Sequence, residues 1–565
     1  MSNTTTPSLS YRFSPRATLA ALGIRLQGLN LFGPVRDHVQ IGQKTITHTP
    51  VQKLYDAFIA ILAGAHGFVE INKRLRSDPG MQAAFGRQGC AEPSVVQDTL
   101  DACTEANVEQ MHHAMDAIYR RHSRGYRHDY AQSFQVLDVD MSGMPCGKKA
   151  AFATQGYFAN QRNRRGRQLG RVLATRYDEI VVDRLFGGTT QLTSALRPLV
   201  QATAQTLALE EHKRPRTVWR IDAGGGSVAD VNWLLEHNYH VHCKDYSGTR
   251  AQTLAASVTA WVEDPRISER QVGWVTVAPT AYSRPVRRVA VRCRKKNGQW
   301  GVGVLISTLS PHEVVALARQ PVDRVTAPSA VLLASVYVYD QRGGGVETSF
   351  KGDKQGLGVT KRHKKRFAAQ QMVTQLNALA HNTIVWARQW LTPYVPSVRS
   401  WGIMRMVRDV FHVSGQIVFD HRQRITQIML NQADPLAKGL APGLFALLGS
   451  EFIVVKPTVS LGVTCAVAYT YGCDDGRISP TRCAIIDAGL DGSYSRCRVC
   501  RTPRAAGGSG RSGLVAESRR VSIADPAGFH RSRTTPQSET RPCGDASPPR
   551  CAPDTRPFLL HPFLF

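Results

Sequence analysis

The order of apolar patterns between residues 133 and 243 constrains the fold of this chain more than any other feature. Five short runs have the spacing of β-strands, and two stretches carry the apolar stripe of a helix. The strands are predicted at 133–142, 170–177, 179–186, 217–226 and 239–243, and the helices at 190–211 and 228–237. The pattern therefore predicts an α/β domain with the order three strands, helix, strand, helix, strand.

Acidic side chains occur where two of the predicted strands end. Asp138 and Asp140 lie in the first run, and Asp222 is followed by Ala223 and three glycines after the fourth. Because side chains alternate along a strand, Asp138 and Asp140 point to the same face of the sheet. Either of them is a candidate site residue together with Asp222.

Further charged residues follow a strand-like apolar run over 330–339. The spacing predicts Glu347 near the start of a helix, with Lys351 and Lys354 one and two turns further along the same face. A carboxylate suits a hard divalent cation, and arginine and lysine suit phosphate oxygens. This segment therefore predicts a site for a metal ion, a phosphate group or both.

Tyr339, Arg342, Glu347 and Lys354 together resemble the Tyr-x2-Arg-x3-Glu-x6-Lys signature of the DDE transposases of bacterial insertion sequences. One departure is present, because four residues instead of three separate Arg342 from Glu347 in a glycine run. Glycine tolerates almost any backbone angle, so the extra residue is either absorbed in a turn or leaves Arg342 aimed elsewhere. The Asp-x-Ser and Asp-Ala-Gly strand ends and Ala380-His-Asn382 are similar to the same family.

The resemblance implies a ribonuclease H-like catalytic domain with a β-rich insertion. In that fold the first and fourth strands are neighbours, so Asp140, Asp222 and Glu347 are expected to converge. The resemblance implies that these three acids bind two Mg²⁺ ions, with Mn²⁺ as a substitute. Asp138 stays open as the alternative ligand to Asp140.

The resemblance also implies a reaction and a partner. The expected activity is endonucleolytic nicking at the terminal inverted repeats of a mobile element, followed by transfer of the freed 3′-hydroxyl to target DNA. Tyr339, Arg342, Lys351 and Lys354 are expected to bind DNA phosphates, and a homodimer is expected to bridge two ends. Two alternatives stay open: a metal-dependent nuclease of the same fold, and a non-catalytic DNA-binding relic of a mobile element.

The charge of the whole chain favours a nucleic-acid partner. The formal net charge is +28, an excess that indicates a polyanion. No stretch approaches the length of a membrane-spanning apolar segment, and the N-terminal residues lack the layout of a signal peptide. We therefore expect no membrane partner and a cytoplasmic, nucleoid-associated bacterial protein with reduced cysteines.

Changes in periodicity and composition divide the chain into six predicted regions. They are a helical N-terminal DNA-binding region (1–130), the first part of the catalytic domain (131–246), a β-rich insertion (247–329), the last part of the catalytic domain with the signature segment (330–395), a C-terminal helical or mixed region (396–460) and a disordered tail rich in Arg, Pro, Gly and Cys (461–565). Asn297-Gly298 in the insertion predicts a hairpin. His242 and His381 are expected to be structural, and the basic run 361–366 to meet a phosphate backbone.

Overall fold

The computed structural model describes residues 9–448, apart from 157, 159–163, 280 and 296, and the backbone of three later strands. The described residues up to Thr458 belong to one compact unit, and the strands after residue 463 belong to a second. The first unit is a mixed α/β structure with one large sheet and one smaller sheet. None of the described helices combines the length and the apolar composition needed to cross a lipid bilayer.

The N-terminal region is helical, as predicted. It contains β1 (Ser10–Ser14), α1 (Ala17–Gly28), α2 (Gly33–His38), α3 (Pro50–Leu62), α4 (Pro79–Ala84), α5 (Pro93–Ala102) and α6 (Glu105–His122). Threonine side chains cap α3 and α6 by accepting from backbone N–H groups of the first turn. The helices have no separate core, because Leu19 and Phe58 belong to the same hydrophobic cluster as Leu379 and Leu440 near the C-terminal side.

The predicted order of strands and helices is confirmed between residues 135 and 244. The elements are β2 (Gln135–Pro145), β3 (Thr154–Gln155), β4 (Arg165–Ala174), β5 (Glu179–Gly187), α7 (Leu192–Leu207), β6 (Thr217–Ile221), α8 (Val228–Glu236) and β7 (His240–Lys244). The short β3 is an addition that the pattern does not predict. β2 pairs antiparallel with β4 and parallel with β6, and β6 pairs parallel with β7. The first and fourth predicted strands are therefore neighbours, as expected.

The insertion region extends this sheet. Its elements are α9 (Gly248–Ala256), β8 (Val262–Glu263), β9 (Arg270–Trp274), β10 (Arg287–Arg294), β11 (Trp300–Ser307) and α10 (Pro311–Leu317). β10 and β11 form the hairpin predicted around Asn297-Gly298. Because β11 pairs with β7, the four strands of the insertion continue the sheet that carries β2 and β6.

The apolar run 330–339 is helical, so the prediction of a strand there is wrong. The run lies in α11 (Pro328–Arg342), which continues through a wide π-type turn (Gly343–Glu347), α12 (Thr348–Gly352) and a second wide turn (Asp353–Leu357). We call residues 328–357 the signature helix. Val331 of α11 belongs to a cluster with Val218, whereas Leu332 belongs to another cluster with Val289. Because α11 is buried on two sides, its apolar residues show no polar stripe, and periodicity alone does not separate helix from strand.

The remaining elements of the first unit follow the signature helix. They are α13 (Phe367–Leu391), α14 (Ile403–Arg405), β12 (Gly415–Phe419), β13 (Ile425–Asn431), α15 (Ala437–Leu448) and β14 (Val454–Thr458). β1, β12, β13 and β14 form the smaller sheet, which ties the N-terminal strand to the mixed C-terminal region. The N-terminal and C-terminal regions are therefore joined by a sheet as well as by a common core.

The basic run 361–366 is only partly available to a phosphate backbone. Arg362 is buried and donates to the Ala65 carbonyl at 2.6 Å and to Asn377 Oδ1 at 2.9 Å. Lys364 is also buried and donates to Gln97. These two cations connect the N-terminal helices to α13, and the expectation that the whole run faces DNA is wrong for them.

The second unit contains β15 (Cys465–Asp474) and β16 (Arg477–Asp487), which pair antiparallel. Both strands fall in the segment 461–565, for which composition predicts a disordered tail. The expectation of disorder is not met over these two strands. Residues 488–565 lie outside the described residues, so the prediction for them stays a prediction.

His242 of β7 generates a prediction for the pH dependence of stability. The side chain is fully buried, with Nδ1 3.0 Å from Ser307 Oγ and Nε2 2.9 Å from the Ser335 carbonyl oxygen. Burial, with a smaller contribution from Arg220, lowers the pKa of His242 from 6.5 to about 3. Between these two values the unfolded chain binds a proton that the folded chain does not. The free energy of unfolding should therefore fall with falling pH, with a slope of up to about 1.4 kcal/mol per pH unit from this group.

Urea unfolding of the wild type and of His242→Gln at about pH 7 and about pH 5 measures this contribution. The variant should lose less stability between the two pH values than the wild type does. Exposed His421 provides the matched control, and His421→Gln should lose as much stability as the wild type. An equal loss in the wild type and His242→Gln contradicts the assignment.

Candidate active site

Two carboxylates from separate elements contact the guanidinium group of Arg342, and a third lies within electrostatic reach of it. Asp140 comes from β2, Asp222 follows β6, and Glu347 ends the first wide turn of the signature helix. Arg342 Nη2 lies 3.1 Å from Asp140 Oδ2, and Arg342 Nη1 lies 3.0 Å from Glu347 Oε1. Asp222 is close enough to act electrostatically on both Arg342 and Asp140. The structure thus brings together the three acids that the sequence singles out.

Arg342 is a buried cation whose charge is balanced by these acids. Its side chain is 4% exposed, and Nη2 also donates to the Val139 carbonyl at 3.2 Å. Burial by itself lowers the pKa of Arg342, but Asp140 and Asp222 outweigh burial and raise it. Arg342 is therefore charged throughout the physiological range and offsets the mutual repulsion of the carboxylates.

The first wide turn of the signature helix absorbs the extra glycine before Glu347. A π-type turn spans one residue more than an α-helical turn. The turn Gly343–Glu347 has this form, with a kink at Gly345 (φ −94°, ψ −111°). Gly345 passes so close to β2 that a Cβ atom there would lie 2.4 Å from Asp138 Oδ2. Because Arg342 still contacts Glu347, the extra residue does not aim the arginine away from the acids.

Asp140 and Asp222 differ in their affinity for protons. Burial raises the pKa of Asp140 to about 6, Arg342 opposes the rise, and Asp222 and Glu347 add to it. Burial also tends to raise the pKa of Asp222, but Arg342 and Lys244 outweigh burial and lower it. The Tyr339 hydroxyl donates to Asp222 Oδ1 at 3.0 Å and so stabilises its ionised form. Environments that separate the pKa values of neighbouring acids are typical of sites that handle protons or charge.

Asp138 belongs to a buried ion pair beside the cluster. Its side chain is 0% exposed and accepts from Arg220 Nε at 2.5 Å and from Arg220 Nη2 at 2.8 Å. It also accepts from Thr175 Oγ1 at 2.7 Å. Arg220 donates in addition to the Val338 carbonyl of α11. These contacts occupy both oxygens of Asp138 and fix α11 against the sheet, which favours Asp140 over Asp138 as a candidate ligand.

The two lysines of the signature helix lie in different surroundings. Lys354 Nζ donates to Ser142 Oγ at 2.5 Å, two residues beyond Asp140, and burial lowers the pKa of Lys354. Lys351 is exposed, and no contact among the described residues joins it to the acids. The structure therefore brings Lys354 to the site and leaves Lys351 on the surface.

A buried ionic network fixes the second wide turn of the signature helix. Asp353 accepts from Arg171 Nη2 at 2.7 Å and lies 2.7 Å from His381 Nδ1. Arg171 is also paired with Asp183 by two hydrogen bonds of 2.8 and 2.7 Å. His381 is thus a structural contact between α13 and the signature helix, in agreement with the sequence-based expectation.

Lys244 is a cation at the site that the sequence analysis does not single out. The parallel pairing of β6 and β7 places Ile221 opposite Cys243, so Asp222, which follows β6, and Lys244, the last residue of β7, are neighbours. Lys244 accordingly contributes to the lowered pKa of Asp222. Neighbouring parallel strands run in the same direction, so a basic residue directly after the predicted strand at 239–243 is expected beside Asp222. This position in the sequence is the signal that identifies Lys244.

The chemistry of the acids suits a hard divalent cation, because carboxylate oxygens are the ligands that Mg²⁺ prefers in proteins. The spacing of the acids is different from that of a formed site. Among the described residues, no three histidine, cysteine, aspartate or glutamate side chains are grouped closely enough to hold a metal ion. Arg342 contacts both Asp140 and Glu347, so metal binding by these acids requires those contacts to open.

Comparison with known proteins adds little to this geometry. No protein-family model matches the sequence, and no curated protein sequence matches it. The structure is similar to the cryo-EM structure of the piggyBac transposase synaptic complex with hairpin DNA, with a TM-score of 0.35 and 10% sequence identity over 71% of this chain and 83% of that chain. Similarity at this level carries no functional conclusion.

Asp138 and Asp140 are two residues apart on one face of β2, and the structure predicts different effects on stability when each is neutralised. Asp138→Asn leaves Arg220 buried without its counter-ion and should lower the free energy of unfolding by about 3–5 kcal/mol. Asp140→Asn removes a carboxylate that burial and two neighbouring acids disfavour, so stability at neutral pH should be unchanged or higher. Urea unfolding of both variants measures the difference, and a larger loss for Asp140→Asn than for Asp138→Asn contradicts it.

Proposed function

We propose that the chain is a DDE-type DNA transposase that nicks the ends of an insertion sequence and joins the freed 3′-hydroxyl to target DNA. The observation that supports this most strongly is that Asp140 and Glu347 contact Arg342 while Asp222 acts on it electrostatically. The acids come from two neighbouring parallel strands and one helix. The order and directions of β5, β4, β2, β6 and β7 also agree with the ribonuclease H-like domain implied by the sequence resemblance.

In this proposal Asp140, Asp222 and Glu347 hold two Mg²⁺ ions, and Mn²⁺ can replace them. Bound divalent ions would activate the attacking oxygen and stabilise the leaving oxygen of the phosphodiester. The raised pKa of Asp140, about 6, leaves this residue ionised at neutral pH and available as a ligand. Opening of the contacts between Arg342 and the acids would then free the arginine for another anion.

In this proposal the cations of the site bind DNA phosphates. Arg342 and Lys354 lie beside Asp140, and Lys244 lies beside Asp222. Tyr339 holds Asp222 in one orientation through its hydroxyl group. We assign Arg342, Lys354 and Lys244 to the phosphates of the element end, and Lys351 to a more distant part of the same backbone, because it is exposed on the same helix.

The proposed partners are the terminal inverted repeats of the element and its target DNA. The net charge of +28 supports a polyanionic partner. A homodimer that bridges two ends would bring both ends to one target site. The proposal predicts that inverted repeats flank the gene, and these repeats would supply the substrate for the tests below.

Glu347→Gln should abolish strand cleavage and leave end binding nearly unchanged, because the substitution removes a charge at the acids and preserves side-chain size. Glu347 is 39% exposed, so the fold should tolerate the change. Cleavage of an end-containing duplex in Mg²⁺, together with its binding in the absence of metal, measures the two properties. Loss of one proposed ligand of the divalent ions should lower the rate of strand cleavage by roughly a hundredfold or more.

Exposed Glu236 provides the matched control, and Glu236→Gln should cleave at the wild-type rate. Equal cleavage by Glu347→Gln and the wild type refutes the assignment of the acids. A strand-transfer assay with a pre-nicked end separates the transposase from a nuclease of the same fold, which would cut the end without joining it to target DNA.

A second candidate function, DNA binding without catalysis, is favoured by a different observation. Among the described residues no three metal-binding side chains are close enough to hold an ion, and Arg342 is paired with two of the proposed ligands. An inactive relic of a mobile element would have this property and keep its basic surface. Metal-dependent nicking of any DNA by the purified chain excludes this candidate.

A further inference from the structure

Three arginines converge on an open hollow beyond the start of β2, apart from the carboxylates. Arg124, Arg127 and Arg176 line the hollow together with Asp129, Ser133 and Tyr177, and its volume is about 330 Å³. Arg124 and Arg127 follow α6, and Arg176 lies in the turn between β4 and β5. We call this site the arginine hollow.

The charge of the arginine hollow is not balanced within the described part of the chain. No carboxylate there lies within ion-pairing distance of Arg124, Arg127 or Arg176. Asp129 is the acid in the lining, and its Oδ1 accepts from the backbone N–H groups of Ala131 and Gln132 at 2.9 and 3.3 Å. The lining therefore carries an excess of two positive charges with Asp129 included.

The arginines are held in place by neutral groups, so most of their N–H donors stay available. Arg176 Nη1 donates to Ser133 Oγ at 2.8 Å, and Arg127 donates to the Arg121 carbonyl. The guanidinium carbons of Arg124 and Arg176 lie 5.7 and 5.9 Å from the centre of the Tyr177 ring. A planar, already positioned guanidinium group is well suited to bind phosphate oxygens.

We propose that the arginine hollow is a second contact for the sugar–phosphate backbone of the DNA substrate. This inference rests on the proposed function for the identity of the ligand as DNA. Ser133 in the lining of the hollow and Asp140 are seven residues apart, which corresponds to at most about 23 Å of extended chain. One duplex that contacts both places would span at most about seven base pairs between them, at about 3.4 Å per pair. The hollow would then fix the direction in which DNA leaves the acids.

Binding of a duplex of about 40 base pairs, measured by fluorescence anisotropy in EDTA over a range of salt concentrations, tests the inference without requiring cleavage. The triple variant Arg124→Gln, Arg127→Gln, Arg176→Gln should bind roughly tenfold or more weakly. The slope of log affinity against log salt should fall by roughly two to three, since each lost phosphate contact changes it by about 0.9. Substitution of the same three arginines by lysine should restore most of the slope.

The matched control removes three charges elsewhere, in the variant Arg405→Gln, Arg408→Gln, Arg424→Gln. These arginines are exposed and each lies beside an aspartate. The control should keep the wild-type slope to within about one unit. An equal loss of slope in both triple variants overturns the inference, because it assigns the effect to total charge. Thermal unfolding near the wild-type midpoint confirms that each variant is folded.

The results separate this inference from the proposed function. A wild type that cleaves DNA, combined with an unchanged slope in the arginine variant, overturns the inference and leaves the function standing. A wild type that binds DNA through these arginines and never cleaves it removes the function and leaves the inference standing. Inorganic phosphate at millimolar concentration provides a competition test. If phosphate binds in the hollow and the affinity for the duplex does not change, the hollow is a small-anion site and the inference is overturned.

Discussion

The contact of one buried arginine with two carboxylates, in the electrostatic reach of a third, is the interaction on which the rest of the structure depends. Burial, with smaller contributions from Asp222 and Glu347, raises the pKa of Asp140. Arg342 supplies the compensating charge at 3.1 Å from Asp140 and 3.0 Å from Glu347. A buried charge is costly unless it is paired, so this cluster needs a framework that holds it rigidly.

Further buried ion pairs provide that framework. Asp138 and Arg220 join β2, β6 and α11, and Arg171 and Asp353 join β4 to the signature helix. Arg270 of β9 pairs with Asp340 of α11 at 2.7 Å. Such pairs add little to net stability, because removing two charges from water is costly. They favour one arrangement of the elements, because a buried charge that loses its partner is strongly destabilising. These contacts hold the signature helix at Val338 and Asp340 on one side of the site and at Asp353 on the other.

Sequence patterns predict the sheet well and the signature helix poorly, for physical reasons. Strand alternation identifies β2 and β6, and Asp140 and Asp222 are neighbours because each directly follows the last pair of the parallel ladder, Val139 with Ile221. Burial of α11 on two sides removes the periodicity that distinguishes a helix, so the run 330–339 resembles a strand. A one-residue insertion appears in sequence as a mismatch with the signature, although a wide turn absorbs it.

The roles of individual cations are least predictable, because composition does not determine burial. Arg362 and Lys364 belong to a basic run and are nevertheless internal contacts, whereas Lys351 stays exposed. Lys244 becomes recognisable only through the register of β6 and β7.

The most direct measurement is X-ray diffraction near the manganese absorption edge from crystals of the intact chain soaked in Mn²⁺. The account predicts an anomalous peak bounded by Asp140, Asp222 and Glu347, with Arg342 displaced from its contacts with Asp140 and Glu347. Crystals with no peak at these acids at saturating Mn²⁺, and Arg342 still paired with Asp140 and Glu347, would contradict it.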